Sequence, residues 1–385
     1  MSAIDGLRIA YLCLQATTPG QASYAHVHEI IAGLRSQGAT VDLFEPRYVD
    51  RAAPGPFGRL LEFARLQRRL IRVLAEYDAL YVRGHALAWP TSAAARRKGV
   101  PTVQECNGMV DDFFIAWPQA RSVAPIIRWL TYAQFRTADE VIVGSTGLAE
   151  WLLRETGRLG HVIPNGANCE VFQPSERPEG VPLPERYVVF FGSLAPWQGI
   201  DTTLEAVTRP EWPADVSLVV VGEGIKQQEV IAAAAENPRV VYLGRLPYDQ
   251  VGEIVANAVC SLVNKEQAEF EGAGISPLKL YESMACGVPV IATERMPGLT
   301  EVVRDLEIGI VVPQHDSAAL AAAVARLAAS PELRSQMGSR ARAHAEAECS
   351  WFVRAEDTAL VIARARSAGP LRARGRSESG EAPRP

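Results

Sequence analysis

The sequence lacks several of the marks by which function is most easily read. It has no CxxC pair and no His/Cys spacing suited to zinc. Its six cysteines, at 13, 106, 169, 260, 286 and 349, are scattered, which fits reduced thiols in a cytosolic protein better than a disulfide framework. Nor is there an excess of positive charge: the formal net charge of −5 argues against a dedicated nucleic-acid binder, which needs a broadly basic surface. No uninterrupted apolar run approaches the ~20 residues that span a bilayer. The first residues, MSAIDGLRIAYLCLQATTPG, carry no basic stretch ahead of their short apolar run, so they read as a first strand and not as a signal peptide. After that strand comes LQATTPGQAS (14–23). The absence of GxGxxG there weighs against a dinucleotide-dependent dehydrogenase.

What the sequence has is length and rhythm. At 385 residues it exceeds what one core serves, so two domains are expected. Hydrophobic residues at 48% and charged residues at 22% are the balance of an ordinary soluble globular chain. Strand-length apolar runs at 7–13, 40–45, 78–84, 101–107, 140–145 and 160–166 alternate with helical patterns such as Ser23–Gln37, Phe57–Glu76 and Ala124–Arg136. This alternation predicts a parallel sheet covered on both faces. The segment FQPSERPEGVPLPER (172–186) interrupts the pattern, which restarts with runs at 187–193, 215–224, 239–245, 258–265, 288–293 and 308–313. The expected architecture is α/β, two doubly wound Rossmann-like domains facing a cleft: 1–172, a linker over 173–186, and 187–348. A helical pattern from Asp316 to Ala347 closes the second domain, and an amphipathic helix over 349–366 crosses back to the first. The remainder, 367–385, is rich in Arg, Gly, Ser and Pro and reads as a disordered tail. Ligands of such sheets gather at the carboxyl ends of the strands.

One stretch carries chemistry that a core helix does not need: SPLKLYESMACGVPVIAT (276–293). Ser276 suits an N-cap, Pro277 the first helical position and Gly287 a stop, so a helix is expected over 277–286. Its free N–H groups and positive dipole end attract phosphate. Lys279 adds a full charge in the first turn, and Glu282, three residues on, shares its face. A carboxylate there has room for the two hydroxyls of a ribose. The plain alternative is an exposed Lys–Glu pair on a surface helix, worth about 0.2–0.5 kcal/mol.

The surroundings decide between these. The block EGAGISPLKLYESMACGVPVIAT, with VIPNGANCEVFQP (162–174), FFGSLAPWQGIDTTLEA (190–206), VVVGEG (219–224), YLGRLPYDQV (242–251) and MGSRARAHAEAECSW (337–351), resembles glycosyltransferase family 4, retaining enzymes of the GT-B fold, in a variant with an SP-x-K-x-x-E donor segment. The resemblance implies that Glu282 holds the ribose and that the amides around Pro277 and Leu278 hold the diphosphate, with the sugar hydroxyls left to the backbone or to Ser276. It also implies that Gly222 to Gly224 and Arg245–Leu246 lie near the base. The loop with Gly20, leading to His26 and His28, would then face the donor phosphates and the acceptor.

Two departures matter. Where the family carries an acidic residue, this chain has Gly274, with Glu269 and Glu271 out of register. In GSLAPWQG (192–199), beginning at Gly192, the residues Ser193 and Gln198 are neutral where many relatives carry a basic pair. Charge-assisted contacts are about twice as strong as neutral ones, so the loss weakens leaving-group stabilisation. Lys279 is the expected compensating cation and catalytic residue. The resemblance further implies a UDP- or GDP-sugar co-substrate, no tightly bound cofactor and no metal, since no Asp-x-Asp is placed to hold one.

In the first half, QECNGMVDDFF (104–114) follows a strand end. It offers Glu105 as a general base or polar contact to the reacting sugar, with Asn107 beside it. His85 and Arg83 follow another strand end, and His85, Asn107 and His26 are the expected acceptor side. FGRLLEFARLQRRLIRVLAEY (57–77) carries arginines at 59, 65, 68, 69 and 72. It is either a solvated sheet-covering helix or one that lies on an anionic membrane. The expected protein is a cytoplasmic retaining glycosyltransferase of glycan or glycoconjugate biosynthesis, peripheral on the inner face of the membrane if that helix is so used. Its partners would be a nucleotide-sugar donor and a glycan, lipid-linked or small-molecule acceptor. Two alternatives stay open. A nucleotide-sugar epimerase of the same architecture needs acid and base groups on both sides of the sugar. A non-catalytic partner subunit fits the missing acidic residue and the neutral Ser193 and Gln198.

Overall fold

Apolar runs with little alternation are what a parallel strand buried on both faces requires. In the computed structural model of the protein, described over residues 2–19, 22–46, 54–111, 113–114, 118–266 and 276–368, every such run forms a strand. The first sheet holds β1 (Arg8–Leu12), β2 (Thr40–Phe44), β3 (Ala79–Arg83), β4 (Thr102–Cys106), β5 (Glu140–Val143) and β6 (His161–Val162), in the order β2-β1-β3-β4-β5-β6. The second holds β7 (Tyr187–Phe191), β8 (Ser217–Val221), β9 (Val240–Gly244), β10 (Cys260–Val263), β11 (Val290–Thr293) and β12 (Gly309–Val312), in the order β12-β11-β10-β7-β8-β9. All ladders are parallel, with Ile9 paired to Val41 on one side and Ala79 on the other. The observed strands end one to three residues inside most of the runs. Positions Gly20, Glu269, Glu271 and Gly274, and the tail from 369 to 385, lie outside the described residues.

The helices between the strands are α1 (Ala22–Ser36), α2 (Pro56–Val73), α3 (Trp89–Lys98), α4 (Ala124–Thr137) and α5 (Thr146–Thr156) for the first sheet. For the second they are α6 (Ile200–Ala206), α7 (Gln227–Glu236), α8 (Tyr248–Ala256), α9 (Leu278–Ala285), α10 (Thr300–Asp305) and α11 (Ser317–Ala329), followed by α12 (Pro331–Glu348) and α13 (Trp351–Ser367). The pattern read as one helix from Asp316 to Ala347 is therefore two. The break falls at Ser330, whose side chain accepts from the Leu333 N–H, with Pro331 in the first position of the next helix. A proline there has no N–H to lose and a backbone angle already helical.

Two compact units result. One takes in 2–19, 27–164 and 354–368, the other 22–26 and 165–353. The first has cores built around Leu12, Leu70 and Val82 and around Val141, Val143 and Leu152. In the second, Val189, Val219, Leu280 and Met284 share one core while Phe190, Leu218 and Val324 share another on the opposite face of the sheet. Each fully buried aliphatic or aromatic side chain contributes about 1.5–3 kcal/mol. The strand order of the second sheet reverses between β7 and β10. In open parallel sheets ligands sit at the carboxyl ends of the strands at such a reversal.

Candidate functional site

The helix that follows β10 begins at this reversal point. Along α9, Leu280, Tyr281, Met284 and Ala285 recur at helical spacing and are buried in the core of the second unit. Gly287 ends it with a positive φ of 68°, the Gly287 N–H bonding the Met284 carbonyl at 2.9 Å and the Val288 N–H that of Ser283 at 3.0 Å. A β-carbon is disfavoured in that left-handed conformation. The start differs from the expectation. Pro277, not Ser276, is the N-cap, and no side chain caps the helix. Ser276 is used elsewhere: its hydroxyl accepts from the Asn165 N–H at 2.7 Å and donates to the Tyr281 hydroxyl at 3.1 Å. The Asn165 amide donates to the Ser276 carbonyl at 2.5 Å, and its Oδ1 lies 2.8 Å from His26 Nδ1. The His26 ring stands edge-on to Trp351 at 5.3 Å. His26, expected on the acceptor side, thus supports the entry to α9 through Asn165. No side chain caps α9; the Leu280 N–H bonds the Pro277 carbonyl at 3.1 Å, and the Leu278 and Lys279 N–H groups are directed out of the N-terminus.

Lys279 and Glu282 are buried, at 7% and 5% exposure, which excludes the exposed surface pair. The Lys279 ammonium donates to Gln198 Oε1 at 3.0 Å and stands 3.9 Å from the centre of the Phe190 ring. A β-carbon on Gly192 would come within 3.7 Å of Lys279 Cε. The cation of α9 therefore reaches the carboxyl end of β7, where the neutral Ser193 and Gln198 lie; Ser193 is exposed and Gln198 buried. Burial pushes the Lys279 amine well below the usual lysine range, with Lys265 adding repulsion and Glu282 opposing the change. Lys265, at the end of β10, is pushed down to about 8 by desolvation. Burial raises the Glu282 carboxyl to about 7, against the Tyr248 hydroxyl that donates to its Oε1 at 3.0 Å and the nearby Lys279.

The base-side residues serve the backbone. Gly222 has φ 133°, and a β-carbon on it would fall 1.9 Å from the Gly192 carbonyl oxygen. Only glycine lets the ends of β7 and β8 approach so closely. Arg245 is exposed and paired with Glu223 at 3.0 Å, and Leu246 packs against the core.

In the first unit two expected residues, Glu105 and His85, are held by contacts within that unit. Glu105, the expected base, is 3% exposed inside the sheet. It accepts from the Tyr81 hydroxyl at 2.7 Å, the Tyr11 hydroxyl at 3.4 Å and Arg83 Nη1 at 3.0 Å. Tyr11 and Tyr81 stack at 4.7 Å, and burial holds both hydroxyls well above the usual tyrosine range. A carboxylate so enclosed accepts from three neighbours within its own unit. His85 Nδ1 accepts from the Leu87 N–H at 3.2 Å, and desolvation pushes the ring down to about 4, so it is a neutral cap on the turn before α3. Asn107 is exposed after β4.

The structure thus gathers Gly192, Gln198, Ser276, Pro277, Leu278, Lys279 and Glu282 in the second unit and leaves Glu105, His85 and Asn107 in the first. Sequence reasoning missed Asn165, Lys265 and Tyr248. The first lies in the block VIPNG and the second at a strand end, where each had a positional signal. Tyr248 lies in the block YLGRLPYDQV, but nothing local pointed to its bond with Glu282 across 34 residues.

Comparison with known proteins bears on the family and the fold. Residues 172–344 match the family described as glycosyl transferases group 1, and residues 25–171 match glycosyltransferase family 4. A D-inositol 3-phosphate glycosyltransferase of Acidothermus cellulolyticus is 28% identical over 73% of this chain and 66% of its own length. A phosphatidyl-myo-inositol mannosyltransferase of Mycobacterium leprae is 30% identical over 52% of this chain and 53% of its own. The chain therefore spans less than two thirds of these relatives. Among solved structures, Anabaena HepE in complex with UDP and glucose shares the fold with a TM-score of 0.70 at 20% identity, over 92% of this chain and 99% of that one.

Proposed function

Because the chain belongs to glycosyltransferase family 4, we propose that it moves a sugar, with retention, from a nucleotide diphosphate sugar to an acceptor hydroxyl. The observation that carries this reading is the Lys279 ammonium held 3.0 Å from Gln198 at the carboxyl end of β7, beside the open N-terminus of α9. A diphosphate bound there meets main-chain N–H donors and one ammonium in a desolvated setting, where such donors stabilise a departing anion most. Glu282, with Oε1 taken by Tyr248, offers Oε2 to a ribose hydroxyl. The departing phosphate oxygen then takes the acceptor proton, a step that asks nothing of Glu105. The donor is a UDP- or GDP-sugar, and the UDP complex of the HepE neighbour supports that class. The acceptor is a polyol or lipid-linked glycan, a class to which the names of the two relatives belong.

The test is a panel of UDP- and GDP-sugars, followed by release of nucleoside diphosphate and by the anomeric configuration of the product. Lys279→Met keeps the bulk and removes the charge. It is expected to lower kcat/KM by about 10²–10³-fold with the unfolding midpoint held or raised. Unchanged turnover would remove Lys279 from the chemistry. Donor consumption without an acceptor, yielding an isomerised sugar nucleotide, would turn the reading to an epimerase.

A further inference from the structure

The connections β2→β3, β3→β4 and β4→β5 all move in one direction across the first sheet. With right-handed crossovers they put α2, α3 and α4 on one face, each running antiparallel to the strands. Two of these helices meet the corner after β3. On α2, Phe63 stands edge-on to His85 at 5.5 Å and Gln67 bonds the Leu87 carbonyl at 3.0 Å. On α4, the Gln134 amide bonds the His85 and Ala86 carbonyls at 3.1 and 3.0 Å. At 1.5 Å per residue, Phe57 lies ~9 Å ahead of Phe63, and Ile126 ~12 Å ahead of Gln134. The N-terminal turns of both helices therefore run past the corner in the same direction, toward the carboxyl edge of the sheet.

Those turns are not surfaced as a soluble helix requires. Phe57 is 83% exposed, Ile126 60% and Trp129 57%. Trp129 leans on Trp89, the first residue of α3, with ring centres 6.0 Å apart, so the apolar ends of α2 and α4 flank an indole pair. Behind Phe57 the same stripe of α2 turns cationic. Phe57, Leu61, Arg65, Arg68 and Arg72 recur at i+4, i+4, i+3 and i+4, and all are exposed. Leu70 and Gln67 face inward. Large apolar tips backed by arginine, with indoles between, match a layered partner that is greasy inside and anionic at its surface. No helix among the described residues is long and apolar enough to cross a membrane.

We propose that this face docks on an anionic phospholipid bilayer, with the starts of α2 and α4 and the Trp89–Trp129 pair entering the headgroup region and the α2 arginines meeting lipid phosphates. The docking would hold the carboxyl edge of the first sheet at the membrane surface. It is independent of the sugar-transfer reading, because it is read without donor.

The experiment is flotation of the full chain with vesicles of phosphatidylcholine alone and of phosphatidylcholine with phosphatidylglycerol. Binding is expected to the anionic vesicles only and to fall with added salt. Each arginine near such a surface is worth about fivefold in partition, so Arg65→Glu with Arg68→Glu is expected to lower it by at least about thirtyfold. Phe57→Ser should weaken it severalfold. Brominated acyl chains should quench tryptophan emission, and Trp129→Phe should remove most of that quenching. All four substitutions are at exposed positions, so thermal unfolding should match the parent. Absence of vesicle binding at low salt would overturn the proposal, as would binding that the variants leave unchanged. Concentration-dependent dimers abolished by Phe57→Ser, without vesicle binding, would assign the face to a second copy instead.

Discussion

Glu282 shows how one carboxyl can set a pH response. Burial lifts it to about 7, above its unfolded value, so stability present below the unfolded pKa is lost as pH rises through about 7. Donor binding runs the other way, since an ionised carboxylate accepts ribose hydroxyls more strongly than a protonated one. Affinity for the matching nucleoside diphosphate, measured by calorimetry, is expected to rise through pH 7. Burial and Lys265 both push the Lys279 amine down, so its charge opposes no part of that rise by the carboxylate. Glu282→Gln should abolish the rise. A rise kept by that variant would sink the assignment. Both residues were legible in the sequence through the blocks around them, because a Lys–Glu pair three apart is by itself an ordinary surface pair. Their burial was not, since nothing local tells which face of α9 meets the sheet. The enclosure of Glu105 was hidden for the same reason: its partner Tyr81 comes from the neighbouring strand and Tyr11 from the one beyond it.

At the scale of elements, the entry to α9 depends on a partner far off in sequence. The Asn165 side chain donates to the Ser276 carbonyl and reaches His26, which fixes the residue ahead of the helix without capping its N–H groups. Asn165→Ala leaves that carbonyl without this donor, at a cost of about 1–3 kcal/mol. The expected result is a lower unfolding midpoint and a donor KM raised about tenfold, with kcat less affected. An unchanged KM would mean that Asn165 serves stability alone. A boundary set by local chemistry, such as Gly287, was readable, whereas the one at Pro331 was passed over although a proline at a first helical position marks it. The start of α9 was not readable, because Ser276 had a better partner than the helix it precedes.

For the molecule as a whole, each unit has its own sheet and cores, and the proposed donor contacts lie in one of them. A nucleoside diphosphate at 100 times its Kd should add about 2.7 kcal/mol to whatever it binds. Hydrogen exchange is expected to show that gain along Leu278–Ala285 and β7 to β12 and not along β1 to β5. Equal protection of both sheets would refute a donor site confined to the second unit. Two α/β halves were determined by the sequence itself, because strand-length apolar runs alternating with helical periods have few other ways to bury their surface. Which titratable groups were enclosed, and which partners they found there, was decided only by tertiary structure. Burial and contacts across 34 to 139 residues arise when strands that are distant in the chain become neighbours in a sheet.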